Sequence, residues 1–114
     1  MIMTYDDVVA MAEATGLPFA YDHFAEGESP DPPFLVFLFP GSNNFSADGI
    51  SYLDVDTLHF ELYTDRKSPD VERIVEAALK ERGIFYNRSE TWLPSEKLYE
   101  VLYEMEVMKD AEEE

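Results

Sequence analysis

The sequence predicts an α+β domain: two layers, a mostly antiparallel sheet of four to five strands packed against two helices, in the order α-β-β-β-α-β-β. Three observations predict it. Two segments carry helix-start and helix-stop residues around apolar positions spaced three and four apart. The remaining apolar runs are short, continuous or alternating, and bounded by Pro, Gly, Asn and Asp, as strands are. The strands cluster between and after the helices, with short connections that favour antiparallel neighbours and a helical layer on one face.

Taken in order, Thr4 is the N-cap of the first helix, with Asp7 three residues on, close to a capping box. Tyr5, Val8, Val9 and Ala12 form its apolar stripe, and Gly16 followed by Pro18 stops it. Leu17 to Phe24 reads as an aromatic-rich first strand. Ala25 to Pro33 holds three prolines and is an extended polar loop, unable to enter a sheet interior. Phe34 to Phe39, "FLVFLF", is apolar throughout and predicts a central strand covered on both faces. Pro40 to Gly49 is loop, with a turn at Asp48-Gly49. Ile50 to Thr64 alternates, with Leu58, Phe60 and Leu62 facing one way and Thr57, His59 and Glu61 the other. Ser68-Pro69-Asp70 starts a second helix with an N-cap, a proline at its first position and an early acid. Val71, Ile74, Val75, Ala78 and Leu79 are its apolar face, and Gly83 ends it. Ile84 to Trp92 is a weaker strand.

Glu96 to Met108, "EKLYEVLYEMEVM", fits two periods. Tyr99, Val101, Tyr103, Met105 and Val107 alternate as in a strand; Leu98, Val101, Leu102, Met105 and Met108 line up as in a helix. Ser95 after Pro94 offers a helix cap, but the alternating set is complete and rich in aromatic and β-branched residues, so strand is preferred. Residues 1–109 make one domain; 110–114 form an acidic tail expected to be disordered.

The 114 residues include eight Phe, seven Tyr and one Trp, enough for a real core. Cysteine is absent, which excludes disulfides and thiolate chemistry. "FLVFLF" is the longest apolar run, too short for a membrane span or a signal peptide, so a soluble protein with no membrane partner is expected. With 25 acidic and 8 basic residues the formal charge is −17, which repels phosphate backbones and anionic membranes. Direct nucleic-acid binding is therefore not expected. A DNA mimic and a surface past which DNA slides both remain compatible with that charge.

No pattern of catalytic residues emerges, and no enzyme, cofactor or metal site is predicted. Asp54 and Asp56 share a strand face but lack the further ligands a cation needs, while His59 and Glu61 point away. "ELYTDRK" places Lys67 six residues after Glu61, outside the strand a nuclease pair would require. His23 and His59, each read as a strand residue among aromatics, are expected half-buried and bonded to backbone carbonyls. There is no nucleophile elbow and no glycine-rich phosphate loop.

The element order, the Pro-rich loop and strings such as "PFLVFLFPGSNNFSADG", "YLDVDTLHFELYTDRK" and "SPDVERIVEAALKERGIFY", from about Thr4 to Val107, resemble the small tail completion, or tail terminator, proteins of long-tailed temperate phages and prophages of Gram-positive bacteria. The resemblance implies a structural virion protein that assembles as a ring, usually six-fold, capping the tail tube and joining it to the head–tail connector. Its partners would be further copies of itself, the tube protein and the connector protein. It would be found in the host cytoplasm during assembly and then in the virion tail. It also implies a strand for the last element. The loop residues Ser42, Asn43, Asn44, Phe45 and Asp48 are the candidate partner contacts, Phe45 being an apolar group in a polar loop. The alternative function is an acidic DNA mimic that inhibits a nucleic-acid-binding host protein.

Overall fold

The structure, a computed structural model, describes residues 2–42, 45–47, 50–53 and 55–109. The elements are β1 (Ile2–Met3), α1 (Tyr5–Ala14), β2 (Phe19–Tyr21), β3 (Phe34–Ser42), β4 (Phe45–Ala47), β5 (Ile50–Leu53), β6 (Val55–Thr64), α2 (Pro69–Glu81), β7 (Asn87–Leu93) and β8 (Leu98–Lys109). The chain is α+β, with two helices and a six-stranded sheet in the order β1-β8-β6-β3-β2, β7 lying beside β8. The sheet has one strand more than expected, the two-residue β1, which runs parallel to β8. Its position against the end of β8, and not its sequence, makes it a strand.

Residues 98–109 form a strand, pairing with β6 over ten positions from Thr64↔Tyr99 to Val55↔Met108. The alternating set is what the core selects: Val101, Tyr103, Met105 and Val107 are buried, while Leu102 sits half-buried on the other face. Phe34 to Phe39 and Leu58 to Leu62 are antiparallel neighbours as the short connection requires, with Phe37 opposite Phe60. Phe34, Leu35, Val36 and Phe37 are all buried, as a continuous apolar run demands. Leu35 and Phe37 face the helices, and the Phe24 ring packs edge-on against Phe34 on the opposite face at 5.3 Å. The first strand is shorter than expected, Phe19–Tyr21, and runs parallel to β3. Asp22 then turns the chain with φ 65.

Both helices cover the same sheet face. Val8, Met11 and Ala12 of α1 and Val75 and Leu79 of α2 join Leu35, Phe37, Leu58, Phe60, Leu62, Val101 and Tyr103 in one buried cluster. The Thr4–Asp7 capping box forms: the Asp7 amide donates to Thr4 Oγ1 at 3.1 Å and the Thr4 amide to Asp7 Oδ2 at 2.9 Å. Those bonds, the backbone one foremost, hold the Asp7 carboxyl below the usual 3.8. At α2 the Ser68 hydroxyl donates to Arg66 O and caps nothing, so Pro69 and the early acids carry the helix start. Gly83, at φ 70, provides the left-handed stop.

The apolar face of α2 differs from the expected one. Ile74 is 45% exposed, while Glu72 is 4% exposed. The helix turns Glu72 inward because two cations meet it there: Lys67 Nζ lies 2.6 Å from Glu72 Oε2 and Arg88 Nη1 3.5 Å from Oε1. Arg88 also donates to Glu76 at 3.0 Å, and the buried Tyr103 hydroxyl donates to Glu76 at 2.9 Å. These bonds raise the proton affinities of Arg88, chiefly through Glu76, and of Lys67, chiefly through Glu72. Burial first, and then the Glu76 bond, raises that of the Tyr103 phenol. Among the described residues no buried side-chain nitrogen or oxygen lacks a partner. No helix among them is long and apolar enough to cross a membrane. The expected tail, 110–114, lies outside the described residues.

Candidate partner-binding surface and an adjoining cavity

Two surfaces are left uncovered by the helices. The first is a hairpin arm. The alternating run predicted from Ile50 to Thr64 is divided into β5 and β6, and β5 pairs with β4 in a separate two-stranded sheet, Ala47 opposite Ile50. Neither strand of the arm pairs with the main sheet. A lone two-stranded hairpin is marginal in water, so an arm of this kind gains from a covering partner. Of the candidate contacts, Ser42 ends β3 and is exposed, and Phe45 begins β4. Asn43, Asn44 and Asp48 lie outside the described residues, as does Asp54 of the Asp54/Asp56 pair.

The second surface is the sheet face turned away from the helices. Alternation places Thr57, His59, Glu61 and Tyr63 of β6 there beside Glu106, Glu104, Leu102 and Glu100 of β8. The Tyr63 hydroxyl lies 2.9 Å from Glu61 Oε1 and 2.8 Å from Glu100 Oε2, bridging two carboxylates that would otherwise repel. Desolvation and then the two carboxylates raise the Tyr63 phenol's pKa. Burial is also the main cause that raises the Glu61 carboxyl above its ordinary 4.5, with the Glu100 charge adding to it and the Tyr63 bond opposing. His59 is the more buried histidine, 17% exposed at the side chain, and its Nε2 lies 2.9 Å from Glu104 Oε2. Its partner is thus a cross-strand carboxylate and not a backbone carbonyl. His23 departs further from expectation: it follows β2 in a loop, 77% exposed, with Nδ1 2.8 Å from Asp22. Nothing buries it, because β2 has already ended.

Glu61 makes a pH prediction. A carboxyl whose pKa is raised by folding stabilises the fold fully below 4.5, and that contribution is lost as pH rises through the raised value. Asp7 acts in a lower window, its contribution present above 3.8 and lost as pH falls through its lowered value. Urea midpoints measured from pH 4.5 upward should therefore fall with rising pH. Glu61→Gln should flatten that slope, and an unchanged slope would dissociate it from Glu61.

At one outer edge of the sheet lies a notch. β7 stops at Asn87↔Glu104 and β1 starts at Ile2↔Met108, which leaves Met105–Val107 of β8 without a strand on that side. Phe85, 80% exposed, stands beside this gap in a cavity of about 620 Å³ that Glu104 and Glu106 also line. Trp92 at 45% and Ile2 at 65% are further exposed apolar groups. An open strand edge with nearby aromatics is a template for association with another chain.

A second cavity, about 490 Å³, opens beside the N-terminus of α1 and the base of the arm. Tyr5, Tyr21, Phe39, Val107, Ser42 and Asp56 line it. A β-bulge builds its polar wall. Leu38 pairs with His59, but the next pair is Gly41↔Thr57, so β3 carries one extra residue. Even-numbered residues of β3 face away from the helices before the bulge; after it Ser42, opposite Asp56, faces the helical side. Pro40, which has no amide to give the ladder, falls within the irregular stretch. Pro40-Gly41 was the sequence signal for this bulge, and reading the segment as plain loop missed it.

No group of three or more His, Asp or Glu side chains among the described residues could hold a metal ion. No protein-family model and no curated protein sequence matches the chain.

Proposed function

We propose that this chain is a structural, non-enzymatic subunit that works in a ring, a tail terminator at the head–tail junction of a long-tailed phage or prophage. In this reading a two-layer domain serves as the scaffold, and the partners are neighbouring copies, the tail tube protein and the connector. The observation that carries the reading is the β4–β5 arm, a separate two-stranded sheet unpaired with the main sheet, within a fold 48 Å long and only 28 by 23 Å across. Ser42 and Phe45 stand at its base. The notch beside Phe85 gives an adjacent copy an edge to meet. Carboxylates on the uncovered sheet face, Glu100, Glu104 and Glu106 among them, are suited to repelling DNA in a channel.

The charge makes the test sharp. Subunits of −17 repel one another, and raising salt from 0.01 to 0.1 M shortens the screening length from about 30 to about 10 Å. Light scattering coupled to size exclusion should give a ring mass, about six subunits, that is favoured as salt rises over this range. A strict monomer at every salt and concentration, remaining so with tail-tube protein added, would overturn the reading. The same row of carboxylates would then favour the DNA mimic.

A further inference from the structure

The cavity beside α1 has the make-up of a ligand site. Its volume, about 490 Å³, falls in the range of small-molecule pockets. Its walls come from β1, α1, β2, β3, β6 and β8 together, so it belongs to the body of the domain and not to the arm. Two of its aromatic rings are half open to water: Tyr5 is 46% and Tyr21 47% exposed. They pack 6.1 Å apart, and the Phe39 ring lies 6.3 Å from Tyr21. Asp56 is the only charged residue among its described lining residues. Asp56 is half-buried, and no described side chain forms a hydrogen bond or ion pair with its carboxylate. The nearby Asp7 is already engaged with Thr4 and lies 3.6 Å from Arg82. The half-buried carboxylates Glu61 and Glu100 and the buried Glu72 each have a donor.

An unpaired carboxylate set among exposed phenol rings suits one ligand chemistry. We propose that this cavity binds an organic cation, an ammonium or guanidinium carried on an apolar stem. The stem lies against Phe39 and Val107, the positive group meets Asp56, and the tyrosine faces add cation–π attraction. The field of a −17 chain enriches cations at its mouth. The same chemistry has two sources, a free small amine or amidine and an arginine side chain presented by another protein.

The test uses the intact chain at fixed salt, followed by NMR of the Tyr5, Tyr21 and Phe39 rings. Benzamidine is the cationic probe, and benzamide its neutral counterpart of nearly the same shape. Benzamidine should bind saturably at those rings and at least about tenfold more tightly than benzamide, the scale of one charge-assisted contact. Asp56→Asn should remove that preference, and Tyr21→Leu should weaken the cation severalfold with an unchanged melting curve. Equal binding of the two probes, or a preference that survives in Asp56→Asn, would overturn the proposal, since the general acidic field alone would then explain it. An arginine-centred tripeptide with blocked ends forms the second arm. Tighter binding of the peptide at the same rings assigns the cation to a protein side chain, and tighter binding of benzamidine assigns it to a small molecule. Either result supports the site, and shifts at these rings with neither probe would sink it.

Discussion

Phe60→Ala should cost about 3–5 kcal/mol, the range for removing a buried aromatic ring. Phe60 is 0% exposed and occupies the middle of β6, opposite Phe37 on one side and Tyr103 on the other. Its ring lies 6.0 Å from that of Phe37. Both flanking strands are fixed by ladders that run past it, so the walls of the new cavity have little freedom to collapse. A domain of this size has about 5–15 kcal/mol in total. At a urea slope of about 2 kcal/mol/M the midpoint should fall by roughly 2 M. Phe85→Ala is the matched control: the ring is 80% exposed, and its loss should stay within about 0.5 kcal/mol. A cost below about 1 kcal/mol for Phe60→Ala would mean that the core is centred elsewhere.

The row Phe37–Phe60–Tyr103 also explains why so much of the fold was legible in the sequence. Where one face of a strand is buried, a slip of one residue would expose every core side chain, so alternation encodes both element and register. That held for Leu58, Phe60 and Leu62 and decided residues 98–109 against the helical pattern. The cap of α1 was legible because it is local: Thr4 and Asp7 act on each other three residues apart, and no distant residue is needed. What escaped the sequence depends on distant pairs. His59 meets Glu104 only because β6 and β8 lie side by side. Ser42 meets the cavity only because an extra residue in β3 reverses its face. β1 exists because the end of β8 is there to pair with. The proposed ring, its proposed partners and the candidate loop residues depend on surfaces whose occupants no intrachain periodicity encodes.

Glu72 shows the same limit at its most costly, and it yields the second large effect. Its carboxylate is only 5% exposed, and its two cations come from outside α2, Lys67 before it and Arg88 on β7. Removing both, as Lys67→Met with Arg88→Met, leaves a buried charge without a counter-ion. Breaking a buried pair in this way costs about 3–5 kcal/mol, because the desolvation penalty stays while the attraction goes. Adding Glu72→Leu to the pair removes the stranded charge, and most of the stability should return, since an apolar residue of similar volume replaces an ion pair at little or no cost. Arg88 and Lys67 are themselves 48% and 40% exposed, so their side chains leave no large void when shortened to Met. Chemical denaturation of the wild type, the double and the triple variant separates the two causes. Recovery in the triple variant assigns the loss to the buried charge. A triple variant as unstable as the double would assign it to lost packing between α2 and β7 instead.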